Sequence, residues 1–155
     1  MKLFTLSPYI LVVSASKVIH EGVMFFHTLG NSPEPCRIST SGSKLVASDV
    51  SSTVRFYDTG EMFCKDKRQY LSFNTQGQLV LESYPDNGFT VEFIPTYDCA
   101  DWTLGIRYKG ENTFQLCSDD SFGLKSQCDV SREISLVLEP DWRYSGVKGY
   151  GSKSG

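Results

Sequence analysis

Past Gly22 the chain is a succession of short apolar runs, each cut off by Gly, Asn, Asp, Ser or Pro. Phe89-Thr90-Val91-Glu92-Phe93 shows the unit: Phe89, Val91 and Phe93 fall on one face, Thr90 and Glu92 on the other. That two-residue period is the mark of a half-buried strand. Thr53–Tyr57 alternates in the same way, as does Trp102–Tyr108 around Leu104 and Ile106. The breaks are turn chemistry, among them Ser41-Gly42-Ser43, Asp58-Thr59-Gly60, Asn74-Thr75-Gln76-Gly77 and Pro85-Asp86-Asn87-Gly88. Proline presets one dihedral there, and Asn-Gly accepts positive φ. No long stretch holds a helical period, so the reading is an all-β domain, a closed barrel of short antiparallel strands.

An internal echo narrows the barrel type. Ser41-Gly42-Ser43-Lys44-Leu45-Val46 resembles Gln76-Gly77-Gln78-Leu79-Val80, and Lys109-Gly110-Glu111-Asn112-Thr113-Phe114 has a similar hairpin character. Three related units suit a β-trefoil-like or related closed barrel. At 155 residues the chain is long enough for a single core. The expected domain is residues 23–142, preceded by a signal peptide and leader over 1–22 and followed by a flexible Gly/Ser/Lys-rich tail over 143–155. For the leader, Lys2 supplies a positive start, residues 3–13 are mostly apolar around Pro8, and Val13-Ser14-Ala15 offers a small-residue cleavage site.

Five cysteines point to an oxidising compartment. No Cys-x-x-Cys pair occurs and only His20 and His27 are available, so a zinc site is not expected. Cys117 with Cys128 is the expected disulfide, because that separation can close a hairpin at acceptable geometry. Cys64 with Cys99 is the second choice, which leaves Cys36 free or paired with another chain.

Charge and motif exclude several functions. A net charge of −3 with scattered basic residues lacks the positive footprint of a nucleic-acid binder. No run approaches the roughly 18 apolar residues of a membrane span. His27 should face outward on its strand, away from any triad, and no Gly-x-Ser-x-Gly elbow or phosphate loop is present. Asp119-Asp120 and the Asp98, Asp101 pair read as turn acids, not as a glycosidase pair. No calcium loop is present. The expectation is therefore a protein that is not an enzyme and needs no cofactor.

The aromatics remain as binding candidates. Tyr97, Asp98, Asp101 and Trp102 form one group that could stack on a sugar and hydrogen-bond its hydroxyls, and Trp142 with Tyr144 forms another. The competing reading buries Trp102 on its strand and packs Trp142 against the barrel end, since aromatics supply the largest buried areas.

The order of residues resembles a known family. Phe114 before Cys117, a Ser/Asp turn, Phe122-Gly123-Leu124, Cys128 and a closing Ile134-Ser135-Leu136 strand resemble the globular domain of yeast-type fungal cell-wall mannoproteins, the Pir-type and related GPI-anchored wall proteins. Phe56-Tyr57-Asp58-Thr59-Gly60, Tyr70-Leu71-Ser72-Phe73, Gln76-Gly77-Gln78-Leu79 and Gly88-Phe89 extend the similarity upstream. The chain departs from the pattern where the glutamine repeats that link Pir proteins to glucan would be, and Gln76 and Gln78 do not match that motif. Pro140-Asp141-Trp142 stands where a further cysteine is expected, and no Ser/Thr-rich stalk or anchor tail is present. The resemblance implies a non-enzymatic, secreted or cell-wall structural protein whose partner is wall polysaccharide (glucan, mannan or chitin). A β-trefoil lectin, and a secreted inhibitor or effector presenting the Pro85 to Gly88 loop to a protein, are the alternatives.

Overall fold

The computed structural model describes residues 16–29, 36–95 and 102–141. These residues form twelve strands: β1 (Val18–Thr28), β2 (Cys36–Ser41), β3 (Lys44–Ser48), β4 (Thr53–Tyr57), β5 (Met62–Cys64), β6 (Gln69–Phe73), β7 (Leu79–Glu82), β8 (Phe89–Pro95), β9 (Trp102–Tyr108), β10 (Phe114–Cys117), β11 (Phe122–Gly123) and β12 (Val130–Pro140). Among the described residues there is no helix, and so none long and apolar enough to cross a membrane. Residues 1–15 of the leader expected over 1–22, and the tail over 143–155, lie outside the described residues.

Alternation decides which side chains meet. In β1, His20, Gly22, Met24 and Phe26 are buried and the residues between them are partly exposed. His27 accordingly sits on the outer face. β1 starts at Val18, ahead of the expected domain start at residue 23, and Val18–Val23 pairs with β4. His20 and Gly22 keep the inward register there, but neither reads as apolar, so the sequence pattern hides the first two turns of the pleat. Gly22 is needed at the crossing of β1 and β12, where a Cβ would run into the Glu139 carbonyl.

The two eleven-residue strands organise the rest. β12 pairs with one edge of β1 from Gly22↔Pro140 to Thr28↔Ile134. The opposite edge of β1 is shared end to end by β4 and, at Phe25 and Phe26, by β2. β12 does the same, carrying β10 over its first half and β9 at Val137 and Leu138. Because β1 holds both β2 and β4, the sheet closes into a seven-strand antiparallel barrel, β1-β2-β3-β7-β6-β5-β4. Closure removes the exposed edges of those strands.

Three hairpins, β2–β3, β6–β7 and β10–β11, touch one another in a ring through Lys44↔Val80, Gln78↔Gly123 and Val46↔Ser121. Each turn holds one residue at positive φ: Gly42, Gly77 and Asp120. The first two of these turns lie in the first two segments of the sequence echo. The third segment of the echo, Lys109–Phe114, joins β9 to β10, and the third hairpin of the ring has its turn before Phe122.

The core runs through all of these units, with Met24, Ile38, Leu45, Leu71, Phe114, Phe122 and Leu138 almost wholly buried. Phe73 stacks on Phe114 with ring centroids 5.9 Å apart and tilts against Tyr108 at 4.6 Å. Phe89 completes this cluster against Tyr108 at 4.9 Å. Phe93, expected on the same buried face as Phe89, is half-exposed and meets the edge of His20.

The expected disulfide is present. Cys117 and Cys128 are bonded, with Cα atoms 5.8 Å apart. The bond fastens the end of β10 to the loop leading from β11 into β12. Cys64 is a free thiol, fully buried in the core cluster, where burial pushes its pKa up and keeps it unreactive. Its expected partner Cys99 lies outside the described residues, and Cys36 is exposed at the start of β2.

Candidate ligand groove

Tyr97, Asp98, Asp101 and Trp142 lie outside the described residues, and Trp102 opens β9 in register with Pro95. Asp119 and Asp120 behave as turn acids. Asp119 Oδ1 accepts from the N–H and the hydroxyl of Ser121, and these two bonds hold the carboxyl below its ordinary range. Asp120 donates its N–H to the Cys117 carbonyl and takes φ +65°.

A different site is formed where three connections meet: the β6–β7 turn, the β9–β10 turn and the loop after β11. They enclose a groove of about 790 Å³, open on one side. Its polar wall is built from Gln76, Gln78 and Gln127, its apolar floor from Phe73, Tyr108 and Leu124. Lys109 and Lys125 stand on the rim, and among the described residues no carboxylate lines it.

Each wall is held by a local device. In the β6–β7 turn, Asn74 Oδ1 accepts from the N–H groups of Gln76 and Gln78 at 3.0 and 2.9 Å, an Asx turn. Gly77 then takes φ +76°, and a Cβ there would strike the Leu124 carbonyl. That contact, with the Leu124 N–H donating to the Gly77 carbonyl at 2.8 Å, joins the two walls. In the loop after β11, Gln115 Oε1 accepts from the N–H and the hydroxyl of Ser126 at 3.0 and 2.7 Å. Cys128, another lining residue, is anchored by the disulfide.

The floor is fixed from behind. Asp86 accepts from Ser72 Oγ and Tyr108 Oη, both at 2.7 Å, and from the Gly88 N–H at 3.0 Å. Burial pushes its pKa upward, yet the hydrogen bonds from Ser72, Tyr108 and Gly88 and the charge of Lys109 leave it below its ordinary value. Burial, reinforced by the Asp86 carboxylate, raises the Tyr108 phenol far above its usual range, so it stays a donor at all working pH. This network also draws the Pro85 to Gly88 turn onto the barrel, with Tyr84 beside it strongly exposed.

The rim charges are compensated. Lys125 pairs with Glu111 at 2.7 Å. Lys109 Nζ lies over the Tyr108 ring, 5.2 Å from its centroid, and acts on Asp86 behind it. The groove thus offers side-chain amides and aromatic carbon, with Lys125 ion-paired and Lys109 laid over the Tyr108 ring. No group of His, Cys, Asp and Glu able to hold a metal occurs among the described residues.

Sequence reasoning missed the groove because its members come from three turns far apart in the chain. The signal was the turn chemistry itself: Asn74-Thr75-Gln76-Gly77 and Lys109-Gly110 were recognised as turns, but nothing in a linear pattern places them against Gln127. No family model, curated protein or solved structure matches the chain.

Proposed function

We propose that this chain is an exported, non-enzymatic β-trefoil-type domain of a fungal cell wall, structural in role and binding wall polysaccharide. The trefoil reading is supported by the count and pairing of the twelve strands. Three hairpins contact one another in a ring, and β5, β4, β1, β12, β9 and β8 form a continuous run of paired strands. The Phe89 N–H donates to the Gly60 carbonyl at 3.1 Å, joining the start of β8 to the turn between β4 and β5.

Export is supported by the Cys117–Cys128 bond, since disulfides persist in oxidising compartments. The wall assignment rests on the resemblance of residues 114–136 to fungal wall mannoproteins. Those residues run from β10 through β11 into the closing strand β12, and the similar segments upstream add parts of β4, β6, β7 and β8.

The observation that carries the binding reading is the braced, amide-lined groove. Its volume is in the range of small-ligand sites, about 300–1,000 Å³. Its mix of aromatic floor and amide wall suits a polyhydroxylated ligand. Co-sedimentation of the oxidised chain with insoluble β-glucan, mannan and chitin tests the proposal. Retention on at least one is expected, and retention on none would remove polysaccharide binding from it.

A further inference from the structure

The groove's ligand class can be narrowed, on the reading that this domain binds polysaccharide. We infer that the groove between the β6–β7 turn and the loop after β11 takes a neutral oligosaccharide, with Gln76 and Gln127 reading its hydroxyls over the floor of Phe73 and Tyr108, beside Gln78, whose Oε1 accepts from Asn74 Nδ2 at 3.4 Å. Three observations lead there.

First, the wall chemistry is two-sided. A carboxamide carries donors and an acceptor, and a sugar hydroxyl is likewise both. An anionic group offers only acceptors, and the glutamine oxygens would meet it unfavourably. Second, the two lysines on the rim are already answered. Lys125 is paired with Glu111, and Lys109 lies over the Tyr108 ring in front of Asp86. With each cation next to a carboxylate, the rim offers little unanswered positive charge to a phosphate, sulfate or uronate. Third, the walls are preorganised: the Asx turn at Asn74, the Gln115–Ser126 bonds and the disulfide hold each wall without help from the groove-facing amides of Gln76 and Gln127. Binding to such a site loses little to ordering of the backbone.

Gln76 and Gln127 are exposed, so a Gln76→Ala/Gln127→Ala double variant should fold as the parent does, which near-ultraviolet circular dichroism checks. Soluble β-1,3-glucan, chitin and α-mannan hexasaccharides are titrated calorimetrically into the full oxidised chain and into the variant. An oligogalacturonate and a phosphorylated mannan fragment serve as acidic probes. At least one neutral hexasaccharide should bind, and the double variant should bind it about tenfold more weakly, as expected for two lost hydrogen bonds.

Three results overturn the inference: no neutral hexasaccharide binds, the variant binds as well as the parent, or an acidic probe binds more tightly than every neutral one. The wall reading fails separately. If parent and variant sediment equally with insoluble polysaccharide, that reading stands and the groove assignment falls. If neither sediments, the wall reading falls, and the soluble titration still decides the groove. Glu111→Gln gives an independent check, because freeing Lys125 should add a salt-sensitive affinity for the acidic probes that the parent lacks.

Discussion

Around the groove, Asn74, Asp86, Gln115 and Asp119 each offer side-chain oxygens to two or more donors. At the end of the barrel where β1 begins, His20 is 5% exposed, and its Nδ1 has no hydrogen-bond partner among the described residues. Its ring lies nearly parallel to Phe56 at 6.5 Å and meets Phe93 edge-on at 6.3 Å. In the first region polar groups act as fasteners for turns that have no apolar content of their own. In the second an imidazole fills an aromatic slot, and the desolvation of its nitrogen is uncompensated. The same fold thus contains a region stabilised by its polar atoms and one weakened by them.

The largest test of this contrast is the disulfide. Closing a loop of this length contributes about 2–4 kcal/mol, a sizeable part of a small domain's stability. Cys117→Ser/Cys128→Ser should lower the urea-unfolding free energy by about that amount. It should also abolish oligosaccharide binding at the groove, because Cys128 would no longer be anchored. Equal stability of variant and parent would mean that hydrogen bonds alone hold the loop.

Asp86 is the next fastener. Asp86→Ala leaves Ser72 Oγ, the Tyr108 hydroxyl and the Gly88 N–H without their acceptor, and should cost about 1–3 kcal/mol. The pH dependence follows from the direction of the shift. Asp86 is held below its ordinary 3.8, so the unfolded chain takes up the proton first. The stability it contributes is present above pH 3.8 and is lost as pH falls through the lower folded value. Acid-unfolding curves of the variant should lack that limb.

Much of the barrel was legible because period-two alternation is a strong signal over five or more residues. Thr53–Tyr57 and Trp102–Tyr108 have the bounds read from the sequence. β5 was not legible: Met62-Phe63-Cys64 is too short to show a period, and it is a strand because β4 and β6 pair with it from both sides. The Cys117–Cys128 bond could be read because its loop is local. The Cys64 pairing could not, because burial of that thiol is decided by barrel closure and not by spacing. The groove was illegible for the same reason, since ring contact among three hairpins, not sequence distance, brings Gln78 to Gly123.

The smallest effect lies at His20. Burial keeps its pKa below the ordinary 6.5, so below that pH the unfolded chain protonates first and stability declines until the folded value is passed. His27 on the outer face is shifted the same way by burial, and the two contributions add. His20→Leu removes the unpartnered nitrogen while keeping an apolar filler, and should leave stability at neutral pH unchanged or raise it by up to about 1 kcal/mol. Between pH 7 and 5 its unfolding free energy should fall less than the parent's. His20→Leu/His27→Gln should flatten that limb further. A parent slope that survives in the double variant would place the neutral-to-acid titration elsewhere. A marked loss of stability in His20→Leu at pH 7 would show that the imidazole is held by more than its two ring contacts, and the contrast with the groove would dissolve.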